Sequence, residues 1–212
     1  LGDPGDPACG IAGRPFVVGG RARVERIVFS DRAWSDGNAK GRYRARLDGS
    51  DFGAVSRISL DGIDDGARAR LAKQWGEDAA YEHASIASFG KLAMELLAFG
   101  APAELVRRCH EAALDEVRHA GVGFALASRY AGATVAPSAL PEARSFTGAV
   151  SLEALAIAAL REGCFGETLA AFVASEQAAA ASDPALASIY ADIARDGHKI
   201  AEKLAVDVGI AA

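Results

Sequence analysis

Glu116 and His119 stand three residues apart in the run CHEAALDEVRHAG, a segment rich in strong helix formers. On a helix, positions i and i+3 share a face, so this carboxylate and this imidazole can converge on one metal ion. Such a pair needs further ligands from neighbouring helices, and a walk along the other apolar seams supplies them. Alternating steps of three and four give Trp75, Ala79, Glu82, Ile86, Phe89, Ala93 and Leu96 on one segment. The same walk gives Leu105, Cys109, Ala112, Glu116, His119, Gly123 and Leu126 on the next, and Leu160, Cys164, Glu167, Ala171 and Ala174 on a third. Each seam carries a carboxylate among apolar residues. Buried unpaired carboxylates are costly, and a cation that neutralises all of them resolves the conflict. Glu82 precedes Glu116 by thirty-four residues, the length of one helical hairpin, so the two can lie at one level. Hard oxygen with imidazole suits iron or manganese better than a thiolate metal.

The third segment offers two registers. Glu167 lies in one apolar row, and Glu162 lies in another, with Leu155, Ala159, Gly166, Leu169 and Val173. Glu167 is preferred because alignment of the two halves of the chain sets it opposite Glu82. Cys109 and Cys164 read as small buried apolar residues, Tyr81 and Tyr190 as packing residues, and His110 and Arg118 as residues of the solvated face. His83 points about 100 degrees away from Glu82 around the helix.

These residues require long helices to position them, and the chain supplies four. Signals mark segments from about Asp65 to Phe99, Pro102 to Tyr130, Ser151 to Ser182 and Pro184 to Val208. Gly100-Ala101-Pro102 ends one and starts the next, Ser151 is an N-cap, and Asp183-Pro184 caps and opens the last. Residues 131–150 form a long Pro-, Gly- and Ser-containing connection that suggests a crossover. The expected fold is all-α: a four-helix bundle with one long crossover over 63–212, preceded by an arm of short strands and loops over 1–62. Within the arm, apolar and polar residues alternate on both sides of Gly19-Gly20, a hairpin signal.

Bulk properties exclude other classes. The 212 residues carry a net charge of -5, with the arm mildly basic and the body acidic, and no polybasic block points to nucleic acid. Three scattered cysteines make neither a disulfide framework nor a zinc ribbon. No apolar run is long enough to span a bilayer. The compartment stays open between the cytoplasm and export with removal of a leading segment.

The stretches DAAYEHASIASF, AELVRRCHEAALDEVRHA and LREGCFGETLAA resemble the ferritin-like di-iron carboxylate proteins, and are most similar to a poorly characterised bacterial group of ferritin-like-domain proteins. The resemblance covers about residues 64–206, and GRPFVVGGRARVERIVFSDRAW is similar to the lead-in of that group. It implies that each hairpin donates one Glu from its first helix and a Glu-x-x-His from its second. Glu82, Glu116 and His119 would then form one half-site, and Glu167 would be the lone Glu of the other. The fourth helix departs from the pattern: where the family has I-A-x-D-E-x-x-H-A this chain reads IARDGHKIA, with Gly197 in place of the Glu and Ile200 in place of the His.

Three functions follow as expectations. The first is a non-haem oxidoreductase with one iron, or manganese, per chain, acting with O2 or peroxide on a small molecule, Gly197 giving room for substrate or for Glu167 to swing. The second keeps two metals, with Glu167 plus Asp196 or Glu162 holding the second. The third is a metal-free bundle, structural or ligand-binding, in which Glu82 and Glu116 share a proton. A homodimer is compatible with each.

Overall fold

A computed structural model describes residues 16–18, 21–23, 27–29, 50–138, 140 and 151–207. Among them the chain is mostly helical. Strands β1 (Phe16–Val18) and β2 (Arg21–Arg23) pair antiparallel, with Phe16 opposite Arg23; Gly19-Gly20 between them lies outside the described residues. Strand β3 (Ile27–Phe29) pairs antiparallel with β4 (Val135–Pro137), tying the arm to the segment that follows the second long helix.

Helix α1 (Ser50–Arg57) falls within the arm for which short strands and loops are expected. Its Ala54 and Val55, with the following Ile58, are buried in the same apolar cluster as the long helices. Helix α2 (Asp65–Ala98) begins at Asp64, whose Oδ1 accepts from the Ala67 N–H at 2.8 Å. It ends before Gly100, which takes the left-handed conformation at φ +68. Helix α3 (Ala103–Ala131) returns beside it and stops at left-handed Gly132.

The third helical stretch is not continuous. Helix α4 (Leu152–Ala158), capped by the Ser151 hydroxyl, runs into a π-helical segment (Ala159–Gly166) that hands over to α5 (Glu167–Ala180). Helix α6 (Pro184–Asp207) packs against both. Its first turn is closed by Asp183, whose Oδ1 accepts from the Ala185 and Leu186 N–H groups while Oδ2 accepts from Ser59 N–H.

The π segment explains why two registers competed in the sequence. Leu155 and Ala159 of one row are buried, and so are Cys164, Glu167, Ala171 and Ala174 of the other. A π turn holds more residues than an α turn, so the buried face shifts from one row to the next along the segment. Glu167 is thereby buried, as preferred; the Glu162 side chain lies outside the described residues.

Two apolar clusters set the level of everything else. One joins Trp75 and Ala79 of α2, Ala120 to Tyr130 of α3, Ala174 of α5, and Ile189, Ile193 and Ala194 of α6. The other joins Phe89, Leu92 and Ala93 of α2, Cys109 and Ala112 of α3, Leu155 of α4, and Ile200 of α6. Helices α2 and α6 therefore run from the first cluster to the second, and α3 and the α4–α5 stretch run the other way. The end of α3 and the start of α4 accordingly lie at opposite ends of the helices; most of the connection between them lies outside the described residues.

Candidate metal centre

Between the two clusters every long helix places polar side chains. Helix α2 contributes Glu82 and Ser85, α3 contributes Glu116 and His119, the start of α5 contributes Glu167, and α6 contributes Asp196; all are buried. The seam pattern explains this layer, because each carboxylate interrupts an apolar row that the folded chain turns inward.

Glu82, Glu116 and His119 converge. One potential ligand atom from each lies within 4.8 Å of the others. Two ligands of one ion stand roughly 3–4 Å apart when metal–ligand bonds are about 2.1 Å, so small side-chain rotations suffice to close the set. His119 Nδ1 is 3.8 Å from Glu116 Oε2, while Nε2 is 3.6 Å from Asp196 Oδ2. The two ring nitrogens thus face different partners: Nδ1 the carboxylate pair, Nε2 the Arg118 guanidinium and, behind it, Asp196 of the fourth helix.

Burial pushes the Glu82 carboxyl well above its ordinary value, and the neighbouring Glu116 charge and a hydrogen bond to Glu116 push it further, with His119 opposing. Two carboxylates can bond to each other only when one carries a proton. Without a metal, burial and the neighbouring carboxylate therefore favour a proton shared by the pair. A divalent cation could replace that proton and offset both charges, held by two carboxylate oxygens and an imidazole nitrogen.

Glu167 is buried but stands outside the converging group. Ile200 is buried in the second apolar cluster, so the position where a second histidine would stand offers no ligand. Gly197 does not make room for a substrate: a Cβ there would lie 3.1 Å from Ala171 Cβ and 3.5 Å from the Glu167 carbonyl oxygen. The space beside it is filled by α5, and the glycine serves close helix packing.

Arg118 and Asp196 were the residues the sequence reading undervalued. Arg118 is not a solvated-face residue. Its guanidinium is ion-paired with Asp196 and its Nη2 is 3.2 Å from His119 Nε2, while Lys199 Nζ approaches Asp196 Oδ1 at 3.2 Å. Arg118 and Asp196 each lie one step before the inward seam of their own helix, and residues so placed on facing helices meet at its edge. That flank-to-flank match of opposite charges was the available signal. The readings of Cys109, Cys164, Tyr190 and His110 agree with the structure, whereas His83 is half-buried with its Nδ1 turned inside. The Cys109 thiol donates to the Phe89 carbonyl at 3.1 Å within the core, and Tyr190 stacks on Trp75 with ring centroids 5.3 Å apart. His110 is exposed.

No family model, curated protein or solved structure gives a significant match to this chain. Among the described residues, no helix is long and apolar enough to cross a membrane.

Proposed function

We propose that this chain is a ferritin-like four-helix bundle whose surviving half-site, Glu82, Glu116 and His119, holds one iron or manganese ion and serves a non-haem oxidoreductase acting on a small molecule. The observation that carries the reading is the convergence of three buried donors within 4.8 Å, midway between two apolar clusters. A metal so held would supply one-electron chemistry with O2 or peroxide. The chain's own residues have defined parts. Glu82 and Glu116 would hold the cation, giving up the proton between them. His119 presents Nδ1 toward them, and the Arg118–Asp196 ion pair stands beside Nε2, where it holds the ring in place.

A second metal is disfavoured by charge. Asp196, its nearest carboxylate on the fourth helix, is already matched by Arg118 and Lys199. The rival reading, a metal-free structural bundle, draws on the Glu82–Glu116 hydrogen bond, which lets the pair stay buried with one proton.

Oxygen uptake separates the two. Protein loaded anaerobically with ferrous ion should consume O2 at least about 10-fold faster than the same iron with the Glu116→Gln variant. Equal rates would remove the oxidoreductase reading. Asp196→Ala should weaken metal affinity roughly 10–100-fold, measured by competition with a fluorescent chelator, because it leaves the Arg118 guanidinium beside the imidazole without its carboxylate.

A further inference from the structure

The outer face of the π segment and α5 carries a row of apolar side chains: Ile157 is 50% exposed, Phe165 68%, Leu169 65% and Phe172 58%. Spacings of four and three keep Phe165, Leu169 and Phe172 on one side of the helix. The row is bracketed by opposite charges, Arg161 before Phe165 and Glu176 after Phe172, both exposed. Among the described residues neither has an ion-pair partner.

The order of these residues has a symmetry that bears on what covers them. Arg161 and Glu176 are equidistant in sequence from the Thr168–Leu169 bond, and so are Phe165 and Phe172. When a helix with that arrangement lies antiparallel on a copy of itself, each Phe165 falls beside Phe172 of the second copy, and the long Arg161 and Glu176 side chains span the small offset that the π turn introduces to meet across the contact. Leu169 then lies at the twofold axis. An isologous contact demands this kind of self-complementarity, and an unrelated partner does not.

We propose that this chain forms a twofold homodimer through the Phe165–Leu169–Phe172 face, closed at both ends by reciprocal Arg161–Glu176 ion pairs. Large apolar side chains bury roughly 150–250 Å2 each. At the exposures given, the row contributes roughly 400 Å2 per copy, about half of the ~800 Å2 that each partner of a standard interface loses. The rest must come from flanking residues, so the expected affinity is modest, with Kd on the order of micromolar. The face is opposite the one that buries Glu167, so dimerisation and metal binding are separate properties.

Sedimentation velocity on the full chain over a concentration series tests the arrangement. The wild type should be mostly dimeric at about 100 μM and dissociate on dilution. Glu176→Arg faces Arg161 of the second copy with a like charge at both ends and should raise the dissociation constant at least about 10-fold. The double variant Arg161→Glu/Glu176→Arg restores both pairs and should restore the dimer. Leu169→Asp should leave a monomer with unchanged helical circular dichroism; if it misfolds, the two charge variants decide. A wild type that stays monomeric to about 200 μM would overturn the proposal. So would a dimer that persists in both Glu176→Arg and Leu169→Asp, which would put the interface elsewhere. A monomer whose melting temperature falls with Leu169→Asp would show the row covered by the chain itself, and would also overturn it.

Discussion

Ferrous ion added anaerobically to the metal-free protein should raise its melting temperature by roughly 5–10 °C, and Glu116→Gln should abolish the rise. An ion that binds only the folded chain adds about 2.7 kcal/mol at one hundred times its dissociation constant, and a domain of this size gains roughly 2–4 °C for each kcal/mol. Glu116 is the most buried member of the set, 1% exposed, and it faces both other donors. Glutamine keeps its shape, removes one charge and gives up the shared proton. Differential scanning fluorimetry of the two proteins, with and without metal, reads the difference directly. A rise of equal size in the variant would place the metal elsewhere.

The same pair fixes a pH dependence. In the metal-free folded chain the Glu82 carboxyl titrates above its ordinary value of 4.5, mainly through burial and then through Glu116. Between 4.5 and that raised value the folded state holds a proton that the unfolded chain has released. Stability from this group is therefore fully present below about pH 4.5 and falls as the pH rises. Glu82→Gln removes the loss. Relative to wild type, the metal-free variant should melt higher at pH 8 than at pH 5, while its response to metal disappears. The metal-induced rise in the wild type should itself grow with pH, since the cation displaces a proton.

Gly123→Ala should lower the melting temperature by roughly 3–6 °C, even though alanine favours helix. A Cβ at 123 would lie 2.8 Å from Ala79 Cβ and 3.2 Å from Ala79 Cα, so the two helices must separate. Overpacking of this kind costs about 1–3 kcal/mol, against about 1 kcal/mol gained in helix propensity. Gly123 lies one turn beyond His119, and Ala79 one turn before Glu82. Separation of α2 and α3 there also spreads the ligand set, so the variant should bind metal more weakly. Gly90→Ala is the matched control: nothing lies within 4 Å of its Cβ position, and the propensity gain of up to about 1 kcal/mol should appear as stabilisation. Thermal melts of both variants decide whether close approach, rather than glycine itself, governs the seam.

Much of the helical frame was legible because its signals are local. Ser151 and Asp183 accept hydrogen bonds from the first turns of their helices, and Gly100 takes the left-handed turn that stops the preceding one. The inward seams were legible as well. Glu82, Glu116, His119 and Glu167 are all buried on the rows that the three–four walk identified. What escaped depends on contacts between segments. Helix α1 is short and weakly helical in sequence, and tertiary burial of Ala54, Val55 and Ile58 holds it. The π segment cannot be read from periodicity, because a local widening looks like two competing α registers. The Arg118–Asp196 pair lies off both seams and emerges only when α3 and α6 are set side by side. Gly197 was read as a vacancy because a glycine in a seam looks the same whether a ligand or a helix fills the space beside it; Ala171 and the Glu167 backbone fill it here.

Metal stoichiometry tests the central claim most directly. Wild-type protein reconstituted anaerobically with ferrous or manganous ion, desalted and analysed by inductively coupled plasma mass spectrometry, should retain about one ion per chain, and Glu116→Gln should retain almost none. Retention below about a tenth of an equivalent by the wild type would contradict a metal centre at Glu82, Glu116 and His119, and retention unchanged in Glu116→Gln would contradict its location.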